Sequence, residues 1–432
     1  MLDKRRFGDE RVEDLVAVAK SMQPYLLEMA PKHEQNRRID AAVIKKLADA
    51  EMFKVAVPRR WGGLCLSAHG MAQIAVELAK GCPSTGWVYC ISNSASWVAS
   101  LAPDAVQEDV FADGVPIMCS AVNPPGTFTK VEGGYRVNGA FPYASGCLDS
   151  TWGMFALASK TPDGRFAPAG QFYAAMSDTT IKDTWFVAGL KGTGSNTVVF
   201  NDAFVPQHRL VPPAPPGQPP GKKHVGEPSD YFALLPHLRS VMLGVLVGIA
   251  EAALEVVIGG TSKRGIVYTT YARQTDSHVV QKEIGEAATM IHTARVLMDA
   301  ANRLIDEAAL EQRTITYLSR HATRVKPCLP PICSSRPWIS SCMCPALQAS
   351  WRARRCSAIG VTSTSRRATR RMCLMWATRC TAVHSWVSSP TSRRTPRSFE
   401  HRGVTVLRGG RGSSKRGTAD RGSVEQRCTR SP

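Results

Sequence analysis

Lys130 to Ala144 reads KVEGGYRVNGAFPYA, two alternating runs on either side of Glu132-Gly133-Gly134-Tyr135. Alternation at period 2 around a glycine turn predicts a β-hairpin. Outward from it lie PIMCSAV before, and STWGMFALAS, QFYAAMS, VAGLKG and NTVVFNDAFVP after, separated by Gly, Asn, Asp and Pro. Residues 113–211 therefore predict an antiparallel β domain. On both sides the period changes to that of a helix. Val12–Met29, Ile39–Met52 and Ala68–Lys80 carry apolar residues at helical spacing. Ser84 and Asp104, next to Pro83 and Pro103, are expected caps of two further helices, the first running through Trp87 to Leu101. Past a Pro/Gly-rich linker, Leu243–Ile258 and Gln281–Ala309 predict two long helices. The order gives an α+β chain: a helical domain at 1–112, the β domain at 113–211, a linker at 212–230 and a helical domain at 231–327.

The formal net charge of +19 would suggest a nucleic-acid or membrane partner if it were evenly spread. It is concentrated in residues 328–432, with 20 Lys+Arg against 3 Asp+Glu, whereas residues 1–327 hold 34 against 32. The first part is a near-neutral globular sequence. Its N-terminus, MLDKRRFGDERVEDLV, lacks the apolar centre of a signal peptide. The apolar run Ser240–Gly260 carries Glu251 and Glu255, each of which would cost about 2.5–3.5 kcal/mol at a bilayer centre, so a buried helix is expected there and no membrane partner. Cys65, Cys82, Cys90, Cys119 and Cys147 form no CxxC pair and are odd in number, which favours free thiols and a cytoplasmic location. No metal site is expected.

Residues 328–432 read as a foreign segment. They hold 8 of the 13 cysteines and 4 of the 9 tryptophans, which an ordinary basic disordered arm lacks, and show no sustained period. Back-translated with GC-ending codons and read one frame over, PPICSSRPWISS allows the amphipathic ADLLVAAVDLL, and the stretch after Cys356 allows QRYWRDLNVATRHA. The tail is therefore expected to be an out-of-frame translation beginning near Lys326–Cys328. Its basicity then says nothing about partners, and no nucleic-acid partner is expected.

Three motifs carry chemistry: CPSTGW at Cys82–Trp87, NGAFPYASGC at Asn138–Cys147, and GLKGTGSNTVVFNDAFVP at Gly189–Pro206. In this order, between two helical domains, they resemble the acyl-CoA dehydrogenase fold, and within it the oxygenase components of two-component, reduced-flavin-dependent aromatic monooxygenases. The resemblance spans about residues 10–326. It implies non-covalent reduced flavin (FMN or FAD), dioxygen as co-substrate, a separate NAD(P)H:flavin reductase, a small phenolic or polycyclic aromatic substrate, and a homotetramer. A C4a-hydroperoxyflavin would be the hydroxylating species, which demands exclusion of water and an acceptor for the flavin N5–H.

Ser145 matches the family serine beside that nitrogen, and Gly146 allows close backbone approach. On the residues alone, ASG is a strand-end turn. Thr193, Gly194 and Ser195 offer hydroxyls and backbone N–H groups to the flavin, although GLKGTGS has neither P-loop nor GxGxxG spacing. Cys119, Ser120 and Ala121 match the strand lining the flavin. Arg273 resembles an arginine that reaches a flavin phosphate, including that of a neighbouring subunit. Trp87, Trp97 and Tyr143 are candidate aromatic walls for a substrate. Two departures from the pattern stand out. Ala95 occupies the position of a histidine found in relatives, and a second family histidine exists here only in the shifted frame, so no general base is identified; His208, His237 and His278 have no motif behind them. The competing readings are an acyl-CoA dehydrogenase proper, which needs a catalytic carboxylate and a CoA channel, and nucleic-acid binding through the tail. With its last helices out of frame, the chain is expected to assemble poorly.

Overall fold

In a computed structural model, the described residues are 6–122, 126–160, 166–213, 226–313 and 315. The linker residues 214–225, the expected frame change and the whole tail lie outside them.

Described residues 6–112 form six α-helices. The expected run from Val12 divides into α1 (Val12–Ser21) and α2 (Gln23–Asn36), because Pro24 sits in the first turn of the second and cannot continue the first. Arg37 ends α2 in the left-handed region at φ 54°. Asp40 caps α3 (Ala41–Asp49), accepting from the Ala42 N–H at 2.9 Å. Ser67 caps α4 (Ala68–Gly81) through the Gly70 N–H. The two expected caps, Ser84 and Asp104, fail for one reason. Pro83 and Asp104 are already the first residues of α5 (Pro83–Ala99) and α6 (Asp104–Val110), so Cys82 and Pro103 hold the cap positions.

Among the described residues, eight strands make two four-stranded sheets. β1 (Met118–Ala121), β4 (Trp152–Lys160), β5 (Phe166–Ala175) and β8 (Leu210–Val211) lie in the order β1-β4-β5-β8. β2 (Thr127–Val131), β3 (Gly134–Ala144), β6 (Thr180–Lys182) and β7 (Asn196–Pro206) lie in the order β2-β3-β7-β6. The expected hairpin joins β2 to β3, with Gly133 at φ 74°. One pair departs from the antiparallel expectation: β1 runs parallel to β4. VAGLKG is not a strand. Leu190 and Gly194 both take φ 53°, which ends extension and frames a 3-10 turn at Lys191–Thr193. The sheets meet through Phe141, Phe155, Phe172 and Phe200, whose rings lie 4.8–5.7 Å apart, mostly edge to face.

Helices α7 (Leu234–Thr261) and α8 (His278–Leu310) follow. Among the described residues α7 alone is long and apolar enough to cross a membrane, but it is seated on α4. Gly244 and Gly248, one turn apart, lie against the carbonyls of Ala72 and Val76, where any Cβ would collide with backbone. Its carboxylates are paired, Glu251 with Arg295 at 2.9 Å and Glu255 with Lys80 at 2.7 Å. From α8, buried Asp306 accepts the first free N–H groups of α4, from Ala68 at 2.7 Å and His69 at 3.1 Å. Asp306→Ala is expected to cost about 2 kcal/mol, by leaving two helix-start donors unmet; the shift in denaturant midpoint measures it. The five cysteines of the described residues are free and buried.

Candidate active site

The end of β3, the 3-10 turn before β7 and the first turns of α5 converge on a row of hydroxyls. Tyr143, at φ 66°, and Gly146, at φ 76°, bend the chain so that Ser145 faces inward. The Gly146 N–H donates to the Thr193 carbonyl at 2.8 Å, locking the two turns together, and a Cβ on Gly146 would press Val88 at 3.1 Å. Ser145 Oγ then lies 2.7 Å from Ser195 Oγ, which lies 2.7 Å from Thr193 Oγ1. Trp87 Nε1–H, from α5, donates to Ser145 Oγ at 3.2 Å. Thr193 Oγ1 donates to the Leu190 carbonyl at 2.8 Å. The three hydroxyl residues are buried.

Exposed aromatic surface stands beside this buried polar row. The Tyr143 ring is 58% exposed and meets Trp185 edge to face at 6.1 Å. Trp185 Nε1–H donates to the same Leu190 carbonyl at 3.1 Å. Phe186, 70% exposed, lies under the Arg37 guanidinium at 4.0 Å, and Arg37 is held in turn by Asp183. Beneath the turn, Gly192 packs on His33 and Ser84, and its N–H donates to Glu34 at 3.2 Å. Burial raises the Glu34 pKa, against the pull of those backbone donors. Burial also pushes His33 down to about 4, so the imidazole under the turn is neutral. A flat group with apolar faces and a polar edge suits this surface, and the row of hydroxyls suits a ring nitrogen. The residues present thus fit a flavin.

The structure brings together Trp87, Tyr143, Ser145, Gly146, Thr193, Gly194 and Ser195. Two expectations change. The N–H groups of Thr193 and Gly194 close the 3-10 turn onto Leu190 and Lys191, so they are not turned outward to a phosphate; the hydroxyls of Thr193 and Ser195 point to the serine row. Trp97 is fully buried, donates to the Ser229 carbonyl at 2.8 Å and packs on Phe232 and His237. It is a core residue with no surface for a substrate.

β1 approaches from the other sheet. Cys119 and Ala121 point into the β core, and Ser120, between them, is half-buried on the opposite face. The neighbouring Met118 N–H is fixed to Ser92 of α5 at 3.0 Å. Arg273 lies in the α7–α8 connection, exposed and paired with Asp276 at 3.0 Å. His208 pairs with Asp109 at 2.6 Å, and His278 begins α8. His237 is buried and stacked on Phe232 at 4.2 Å. Sequence reasoning missed Trp185, Phe186 and Leu190. The TWF triplet just before the glycine-rich turn was the signal for the two aromatics, masked by reading VAGLKG as a strand; Leu190 gave none.

Residues 10–112 match the family described as "Acyl-CoA dehydrogenase, N-terminal domain", and residues 241–330 the one described as "Acyl-CoA dehydrogenase, C-terminal domain". The chain is 32% identical to the FADH(2)-dependent resorcinol hydroxylase, oxygenase component, of Rhizobium sp. (strain MTP-10005), over 66% of this chain and 72% of the relative. It is 36% identical to the flavin-dependent monooxygenase oxygenase subunit HsaA of Mycobacterium tuberculosis, over 46% of this chain and 50% of that protein. The structure is similar to that of 3-HSA hydroxylase from Rhodococcus sp. RHA1, with TM-score 0.69 and 26% identity over 87% of this chain and 98% of that one. It is also similar to XiaF from Streptomyces sp. in complex with FADH2 and glycerol, with TM-score 0.68 and 26% identity over 83% of this chain and 89% of that one. The chain belongs to the family of flavin-dependent monooxygenase oxygenase components built on the acyl-CoA dehydrogenase fold.

Proposed function

We propose that this chain hydroxylates a small phenolic or polycyclic aromatic substrate, using dioxygen and reduced FMN or FAD delivered by a separate NAD(P)H:flavin reductase. One oxygen atom enters the ring and the other leaves as water. Reduced flavin, when bound, supplies the two electrons that activate dioxygen. The protein's share is binding, orientation and exclusion of water. The observation that carries the reading is Ser145 Oγ, a buried hydroxyl fixed by Trp87 and Ser195 beside the aromatic corner of exposed Tyr143 and half-buried Trp185. Ser145 is the residue assigned to the ring nitrogen, and Gly146 brings the backbone near the ring. Thr193, Gly194 and Ser195 support one edge of the flavin, and Cys119, Ser120 and Ala121 line its strand side. Trp87 and Tyr143 border the substrate. Arg273, at the α7–α8 turn, is assigned to a flavin phosphate of a neighbouring subunit in a homotetramer. The exposed Val256, Ile258, Val296 and Leu297 of α7 and α8 support such an assembly. The unpaired thiols support a reducing, cytoplasmic location.

Anaerobic titration with reduced and oxidised flavin tests the proposal. Reduced flavin should bind more tightly; absence of affinity for either form would refute it. Ser145→Ala is expected to lower hydroxylated product per reduced flavin consumed by about tenfold, with hydrogen peroxide making up the difference, from the loss of one fixed hydrogen bond. Oxygen-uptake and product assays on the same sample measure that ratio.

A further inference from the structure

The hydroxyl row has two ends of opposite kind. An indole N–H can only donate and a carbonyl oxygen can only accept. At one end Trp87 Nε1–H points at Ser145 Oγ at 3.2 Å; at the other, Thr193 Oγ1 reaches the Leu190 carbonyl at 2.8 Å. Each hydroxyl between them has one hydrogen. Thr193 places its hydrogen on Leu190, so it receives from Ser195 at 2.7 Å. Ser195 has then spent its own hydrogen and receives from Ser145 at 2.7 Å. Ser145 is left with no hydrogen to offer: one lone pair is taken by Trp87, and the remaining one is its only free capacity.

We propose that Trp87, Ser145, Ser195, Thr193 and the Leu190 carbonyl form a one-way hydrogen-bond relay that holds Ser145 as an acceptor, making Ser195 and Thr193 positioning residues for discrimination between reduced and oxidised flavin. The inference rests on the flavin reading above. A ring nitrogen carrying hydrogen, as in reduced flavin, finds a partner in Ser145. The same nitrogen without hydrogen, as in oxidised flavin, meets lone pair against lone pair. To serve the oxidised ring the whole row must reverse, and Thr193 must turn from Leu190 to Ser195. Leu190 keeps its bonds from Trp185 Nε1–H at 3.1 Å and the Thr193 N–H at 3.2 Å, so reversal forfeits one bond. One net hydrogen bond is about threefold to tenfold in an equilibrium constant.

The experiment is anaerobic equilibrium binding of FMN, oxidised and photoreduced, to the full chain and to three variants. Thr193→Val removes the sink for the Ser195 hydrogen. The ratio of oxidised to reduced dissociation constants should fall about threefold to tenfold, through tighter binding of oxidised FMN. Ser195→Ala, which frees the Ser145 hydrogen, should lower the ratio in the same direction. Thr193→Ser keeps the hydroxyl and should restore the parent ratio. If the parent prefers reduced FMN but Thr193→Val leaves the ratio unchanged, or weakens both forms equally, the relay is refuted and the flavin reading stands. If the parent binds neither form, both fall.

Discussion

A chain carrying Gly244→Val and Gly248→Val is expected to lose about 3 kcal/mol or more of stability, because the added side chains meet backbone. Each glycine faces a carbonyl of α4, at Ala72 and Val76, and a carbonyl cannot rotate aside as a side chain can. The helices must separate, and the interface α4 makes with α7 opens along its length. Against a typical stability of about 5–15 kcal/mol, such a loss leaves a marginal fold. Gly259→Ala and Gly260→Ala, in the same helix but with open space around the new Cβ, should instead be neutral or stabilise by about 0.5–1 kcal/mol. Denaturant midpoints of the two pairs separate a packing requirement from a general intolerance of α7.

The second large effect is on pH. His237, buried between Phe232 and Trp97, is pushed down to about 3 by burial, and His33, under the 3-10 turn, down to about 4. Both folded values lie below the unfolded one, so their stability contribution is full above about pH 6.5 and is lost as pH falls toward the folded values. Asp306 has the opposite sign. Burial raises it to about 8, so its contribution is full below about pH 4 and is lost as pH rises through about 8. Between about pH 4 and 6.5 two histidines act against one carboxyl, and above that the carboxyl acts alone. These three groups place the stability optimum near pH 6.5, with about 1 kcal/mol lost by pH 5. His237→Phe keeps the ring stack and should remove about 2 kcal/mol of acid sensitivity between pH 7 and pH 5. Chemical denaturation of parent and variant across that range measures the difference; parallel curves would contradict it.

The period of apolar residues was enough to place the helices and six of the eight strands among the described residues, because each element buries one face and the spacing records which; the short β6 and β8 gave no period to read. Failures came from single residues with unusual backbone. Pro24 divided a continuous helical pattern, and Leu190, a non-glycine residue at φ 53°, turned VAGLKG from strand to turn. Nothing in leucine advertises a left-handed conformation. In the site, ASG was legible only as the end of a strand, and it was the family resemblance that pointed to Ser145 and Gly146 within it. The direction of the Ser145 hydrogen was not legible, because that depends on which carbonyl and which indole lie at the two ends of a row gathered from three separate segments. Trp97 was misread for a general reason: an aromatic ring near a motif serves core and pocket equally well on paper, and only burial separates them.

The sealed cysteines bear on how such a protein tolerates its own reagents. Reduced flavin and dioxygen that fail to meet a substrate yield hydrogen peroxide, which attacks sulfur as thiolate. Burial holds Cys147 up at about 12 and raises Cys65, Cys82, Cys90 and Cys119, so the anion is scarce at neutral pH. Cys147 lies within 3.5 Å of the Gly194 carbonyl, directly behind the hydroxyl row. Cys147 is thereby kept as the thiol, the form that peroxide attacks least, and wasted turnovers need not inactivate the protein through it.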